Sequence, residues 1–249
     1  MWRRLCVLLA GLLLLLAAAC RSPEVVQPAK SGPPEPGKVR VTWFGQSMFL
    51  VQDGATSLVT DPYGPDIGYI LPRVSADVVL VSSAARKQET TSIKGKSRVI
   101  ETIGESYVGS FVVLGIPSFR DSRARRPNRI YYWKMAGVSF AHMGDFGQRA
   151  LSAQQEGLLR GVDVLMMPVG GGTTADARAA ARITKAINPR VVIPMDYKTP
   201  AVVVDLAPVE TFSGRFASIK RIGDSFEASR DELPEQTEVW VMKYRQQRS

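Results

Sequence analysis

Three stretches of this chain are apolar almost without interruption: Asp77-Val78-Val79-Leu80-Val81, Val162 to Met167, and Val191-Val192-Ile193. A strand with one wet face alternates apolar and polar residues. A run that is apolar at successive positions is the pattern of a strand buried on both faces. Such strands need a covering layer on each side, so a single open sheet facing water is excluded and a layered α/β domain is expected. The first run gives way to Ser82-Ser83, the second ends at Pro168, and the third continues to Pro194.

The flanking segments fill in the pattern. Val39 to Phe44 and Ser47 to Gln52 read as strands, Asp53-Gly54 as a two-residue hairpin turn, and Thr56 to Thr60 as the return strand. Asp61-Pro62-Tyr63-Gly64-Pro65 breaks the ladder. Further strands are expected over Arg98 to Ile100, Val108 to Leu114, Arg129 to Lys134, Val138 to Ala141 and Glu238 to Tyr244. Helices are expected over Ser152 to Arg160 with Ser152 as N-cap, over Thr174 to Ile187 ended by Asn188-Pro189, and over Pro208 to Phe216.

The first residues read differently. Met1-Trp2-Arg3-Arg4 is basic, Leu5 to Ala19 is apolar, and Ala17-Ala18-Ala19 precedes Cys20. This is the layout of a secretory signal, too short for a comfortable membrane span. Leu16-Ala17-Ala18-Ala19-Cys20 resembles the lipobox of bacterial lipoproteins. The resemblance implies removal of residues 1–19, acylation of Cys20, export, and anchoring to a bacterial membrane; Arg21 in place of Asp points to the outer membrane, facing the periplasm. Residues 20–37, rich in Pro and Gly, read as a tether, and residues 38–249 as the domain.

Composition bears on chemistry in two ways. Of 249 residues only one is His, which counts against a His-rich metal centre, and two Cys cannot supply a four-thiolate site. The net charge of +9 suits anionic surroundings. The basic run Arg120, Arg123, Arg125, Arg126 and Arg129 could meet lipid headgroups. It has no interleaved aromatics, so nucleic acid is not expected as a partner.

Four segments, in order, resemble the metallo-β-lactamase fold superfamily, in its branch of small-molecule hydrolases and lactonases: Trp43-Phe44-Gly45-Gln46-Ser47-Met48-Phe49, Thr60-Asp61-Pro62-Tyr63, Ala141-His142-Met143-Gly144-Asp145, and Pro168-Val169-Gly170-Gly171 through Ile193-Pro194-Met195-Asp196-Tyr197. The resemblance implies an αβ/βα sandwich, two mixed β-sheets flanked by helices. It also implies a dinuclear metal site that activates water for hydrolysis. The family's H-x-H-x-D-H signature would fall on Ser83-Ala84-Ala85-Arg86-Lys87-Gln88. There Ser83 and Ala85 replace two His, Lys87 replaces Asp, and Gln88 replaces the third His. Gln46 and Asp196 replace further His, so only His142 and Asp145 keep the ligand type.

This pattern leads to an expected pocket lined by Gln46, Asp61, Ser83, Lys87, His142, Asp145 and Asp196, with Lys87 or Arg86 supplying the positive charge beside Asp145 or Asp196. His142 is expected to be a hydrogen-bonded structural group. Ser83 lacks the elbow of a serine nucleophile, and Gly170-Gly171-Gly172 reads as a turn rather than a phosphate cradle. The function expected from the residues is a non-catalytic ligand-binding or interaction module without a cofactor. Its partners would be membrane lipid through Cys20, and a small anionic ligand or an envelope protein. The alternatives are a hydrolase with one zinc or manganese ion held by His142, Asp145 and Asp196, and an envelope scaffold using its basic surface.

Overall fold

The structure, a computed structural model, describes residues 32–84, 93–109, 111–121 and 123–245. The chain makes two mixed sheets. The first contains β1 (Val39–Gly45), β2 (Met48–Gln52), β3 (Ser57–Thr60), β4 (Val78–Leu80), β5 (Arg98–Ile100) and β13 (Ser225–Ala228), in the order β13-β1-β2-β3-β4-β5. The second contains β6 (Gly104–Val108), β7 (Phe111–Phe119), β8 (Pro127–Met135), β9 (Val138–His142), β10 (Val164–Pro168), β11 (Val191–Met195), β12 (Ile219–Ile222) and β14 (Glu238–Met242), in the order β12-β14-β11-β10-β9-β8-β7-β6. In the first sheet β3, β4 and β5 run parallel; in the second, β9, β10, β11, β14 and β12 do. The three strands expected to be buried on both faces, β4, β10 and β11, are among them and are buried throughout.

Period-two alternation sorts the first sheet into two cores. Val41, Trp43, Phe49, Val51, Leu58, Val78 and Leu80 face the second sheet, where they join Tyr131, Trp133, Phe140, Val164 and Met166. Their neighbours Phe44, Met48, Leu50, Val59, Val79 and Val81 face the other way, into a satellite cluster closed by Tyr63, Tyr69, Val74 and Val202. Each fully buried large side chain contributes about 1.5–3 kcal/mol. The outer cover of this sheet therefore includes loop side chains. The second sheet is backed by α2 (Ala177–Ile187), which packs on β10 and buries Ala180, Ile183 and Ile187.

Several boundaries differ from expectation for local reasons. The Asp53-Gly54 turn is a four-residue loop, because Asp53 Oδ1 accepts from the Ala55 and Thr56 amides and Gln52 pairs with Ser57. Val108 to Leu114 is not one strand but the turn of the β6–β7 hairpin, with Gly109 at φ +60°. Helix α1 (Ala153–Leu159) has the expected Ser152 cap as a full capping box. Helix α2 begins later than expected because Asp176, not Thr174, caps it, and it ends at Asn188 as expected. The last helix, α3 (Glu210–Ser213), is a single turn. β12 and β13 escaped the sequence reading, since their residues are largely polar and partly exposed.

Candidate functional site

Parallel strands end together, and here the ends of both sheets meet at one edge. Asp61 follows β3, Ser82 and Ser83 follow β4, His142 ends β9, Asp145 lies three residues on, and Asp196 follows β11. Gln46 sits in the β1–β2 turn of the same edge, with His142 bonded to its neighbour Ser47. All of these side chains are buried. Gln46, Asp61 and Asp196 hold positive φ (+47°, +33° and +52°), half of the non-glycine residues that do so among those described. Backbone strain of this kind costs on the order of 1–3 kcal/mol each and clusters where a site needs it.

The His142 ring is held on both nitrogens. Nε2 lies 3.0 Å from the Ser47 carbonyl, which requires the proton on Nε2, and Nδ1 accepts the Gly144 amide at 3.2 Å. Asp61 Oδ2 stands 3.9 Å from Nδ1. Asp61 itself accepts from Ser82 twice, from the amide at 2.7 Å and from the hydroxyl at 2.6 Å. Asp145 Oδ2 accepts the Ser83 hydroxyl at 2.9 Å and faces Arg120 Nε at 3.7 Å. Asn128 fixes the turn carrying Asp145, accepting the Asp145 amide at 2.9 Å while donating to the Met143 carbonyl and to Ser118 Oγ. Gly144 is required there: at φ +58° a Cβ would lie 2.3 Å from Ser82 Cβ. Tyr69 closes the other side. Its hydroxyl lies 2.6 Å from Thr199 Oγ1 and is bonded by the Gln46 backbone, and burial pushes its pKa up to about 12, so it stays a neutral phenol.

The expected residues Gln46, Asp61, Ser83, His142, Asp145 and Asp196 thus lie on one edge. Lys87 and Arg86 fall outside the described residues. Among the described residues Arg120, from the run expected to lie on the surface within reach of lipid headgroups, is a cation beside Asp145. Arg129 of the same run also turns inward, donating to the Ser82 carbonyl at 3.3 Å, while Arg123, Arg125 and Arg126 are exposed. Arg120, Ser82, Asn128 and Tyr69 were missed by the sequence reading; nothing in their spacing separates them from ordinary loop and strand residues. Gly171 and Gly172 form a turn closed by the Thr174 amide on the Gly171 carbonyl, as expected.

A metal is implied by the fold family, and the donor chemistry tests it. To ligate, His142 would have to give up a backbone bond, while Asp61 and Asp145 already share their carboxylates with Ser82, Ser83 and Arg120. Among the described residues, no three of His, Cys, Asp and Glu converge as a metal-holding group. As they stand, the described side chains do not fit the family's metal cage.

A family model described as a beta-lactamase superfamily domain matches residues 40–196. A solved structure from Thermotoga maritima, described as a candidate Zn-dependent hydrolase of the metallo-beta-lactamase superfamily, superposes with a TM-score of 0.71 at 33% identity, covering 82% of this chain and 98% of that one. A UPF0173 metal-dependent hydrolase of Pyrococcus furiosus is 32% identical over 187 residues, spanning 68% of this chain and 80% of its own. Another, from Thermococcus kodakarensis, is 28% identical over 195 residues, spanning 65% and 85%. These relatives correct two expectations drawn from the lost ligands. A non-catalytic module is not what the chain resembles, and the absence of a cofactor conflicts with relatives named for their metal dependence. The lost ligands had been taken to mean a lost activity, but ligand counting rests on one family pattern, whereas the likeness runs through most of the chain. With both sheets, the strand-end edge and the His142-x-Gly144-Asp145 turn in place, the chain belongs to the metallo-β-lactamase superfamily.

Proposed function

We propose that this protein is a hydrolase working at the strand-end cluster of Asp61, Ser83, His142, Asp145 and Asp196. The observation that carries the reading is the convergence of these groups, from separate strand ends, on one buried edge in a chain whose relatives are named hydrolases. Hydrolysis adds water across an ester, lactone, amide or phosphodiester. One proton goes to the leaving oxygen or nitrogen and the hydroxyl goes to the acyl carbon or phosphorus, so the site must accept one proton and deliver one. The Asp145 carboxylate, held between Ser83 and Arg120, is placed to accept a proton. His142, fixed as the Nε2–H tautomer beside Asp61, is placed to keep that edge polar and ordered.

Metal dependence comes to this chain from its relatives' names. By the sequence resemblance His142, Asp145 and Asp196 would be the residues nearest to a ligand set, although the described side chains do not form the family's cage, and no step is routed through an ion. The test is turnover of an ester, lactone and phosphodiester panel by the full chain, with zinc, with manganese and with EDTA. Turnover that disappears in Asp145→Asn supports the reading; no turnover on any member under any of these conditions overturns it. The lipobox-like segment supports work at a membrane surface. Mass spectrometry of the Cys20 peptide should find a lipid adduct, and an unmodified peptide beginning at Met1 would refute anchoring.

A further inference from the structure

Among the described residues the two most exposed large apolar side chains are Val203 and Ile70, at 70% and 63%, and Val204 and Leu71 beside them are exposed as well. Isolated exposed apolar residues are ordinary, but a group of them marks a binding surface. These four belong to two loops, one leaving Asp61 after β3 and the other leaving Asp196 after β11. The loops are fastened to each other. The Val203 amide donates to the Ile67 carbonyl at 3.2 Å, and Tyr69 and Thr199 join their hydroxyls. Gly68, at φ +98°, approaches so closely that a Cβ would lie 2.1 Å from the Ala201 carbonyl oxygen. Beneath them Tyr69, Val74 and Val202 are buried in the satellite cluster. The exposed side chains therefore ride on a packed base.

That base is continuous with the strand-end site. The Tyr69 ring lies against Gly45, and its hydroxyl is bonded by the backbone of Gln46. The two loops, residues 61–77 and 196–209, carry Asp61, Asp66, Asp77, Asp196 and Asp205 against only Arg73 and Lys198, so they are acidic on a chain whose formal charge is +9. Lys198 Nζ is turned onto the Val202 carbonyl at 3.3 Å. An anionic bilayer thus gains less here than on the basic surface elsewhere, whereas an uncharged aliphatic group can lie against the exposed Ile70, Leu71, Val203 and Val204 side chains.

We propose that these loops form an apolar lip that takes the aliphatic acyl group of the substrate, so that the substrates are esters or amides of medium-chain acyl groups. The substrate role rests on the hydrolase reading; the binding of an alkyl chain does not. Calorimetric titration of the full chain with 1-octanol and 1-butanol tests the binding. Four extra methylenes at half their usual transfer value make octanol bind about tenfold tighter. Ile70→Ser with Val203→Ser should erase that preference without shifting the thermal midpoint, because both side chains are exposed.

Equal binding of the two alcohols, or a preference retained in the double variant, overturns the proposal. So does a double variant that loses binding to phosphatidylcholine vesicles in a protein that shows no octanol preference, which would make the lip a bilayer contact. Hydrolysis of p-nitrophenyl octanoate and butanoate separates the two readings. An octanol preference without turnover of either ester retains the lip and removes ester hydrolysis. Turnover with no chain-length preference retains the hydrolase and removes the lip.

Discussion

Two clamps of the same local chemistry stand at opposite ends of parallel strand pairs. At the N-terminal end of β9 and β10, Asp163 Oδ2 accepts the Ser139 amide at 2.9 Å and its hydroxyl at 2.6 Å. At the C-terminal end of β3 and β4, Asp61 likewise accepts a serine amide and hydroxyl, those of Ser82, but on Oδ1 and Oδ2 separately. The surroundings differ. Asp163 is compensated by Arg190 and Arg230, at 3.3 and 3.2 Å, both reaching solvent. Asp61 is buried at strained φ beside His142. One kind of clamp thus serves as a staple between strands at one end and as part of a candidate site at the other. A third such clamp, Asp77 on Ser57, joins β3 and β4 at their exposed N-terminal end. The motif ties parallel strands wherever it occurs; its neighbours decide whether it can also do chemistry.

The distinction can be broken by mutation. Asp163→Ala strands two guanidinium groups and two Ser139 donors, and should cost about 3 kcal/mol in urea unfolding while leaving turnover per folded molecule unchanged. Lost turnover in that variant would erase the difference between the clamps. Asp61→Asn keeps the shape and should cost only about 1 kcal/mol of stability, yet lower turnover about a hundredfold or more. Unchanged turnover would make Asp61 another staple. Arg120→Met leaves Asp145 without that cation and should destabilise by about 1 kcal/mol, read by urea unfolding, with a smaller effect in high salt.

The smallest effect belongs to Asp77→Asn. Bonds from the Ser57 hydroxyl and amide hold the Asp77 carboxyl below its ordinary value of 3.8. Its contribution is therefore complete above that value and lost as pH falls through the lower folded one. The group is largely exposed, so the variant should lose less than about 1 kcal/mol at neutral pH. The gap to the parent should close below pH 4, as followed by urea unfolding at several pH values.

Much of this architecture was legible in the chain. Val78 to Val81 and Val191 to Ile193 announced doubly buried strands because both faces of their sheets are covered. Ser152 and Asn188 marked helix ends because their side chains and backbone angles serve locally. His142, Asp145 and Asp61 could be placed on one edge because parallel strands end in register. Arg120 and Arg129 were misread because a charge run looks the same whether its residues face water or a carboxylate; only the fold of β7 and β8 against the β4 end turns these two inward. The activity was misjudged for a related reason, since an inventory of missing ligands says nothing about the rest of the chain.

What the sequence by itself determined was the layering, since apolar periodicity is a local consequence of which faces must be buried. What only the tertiary structure decided was the use of each polar group. Asp61, Asp77 and Asp163 carry the same side chain and the same serine bonds. Only packing from distant parts of the chain sets one beside a buried imidazole, one in water and one between two arginines.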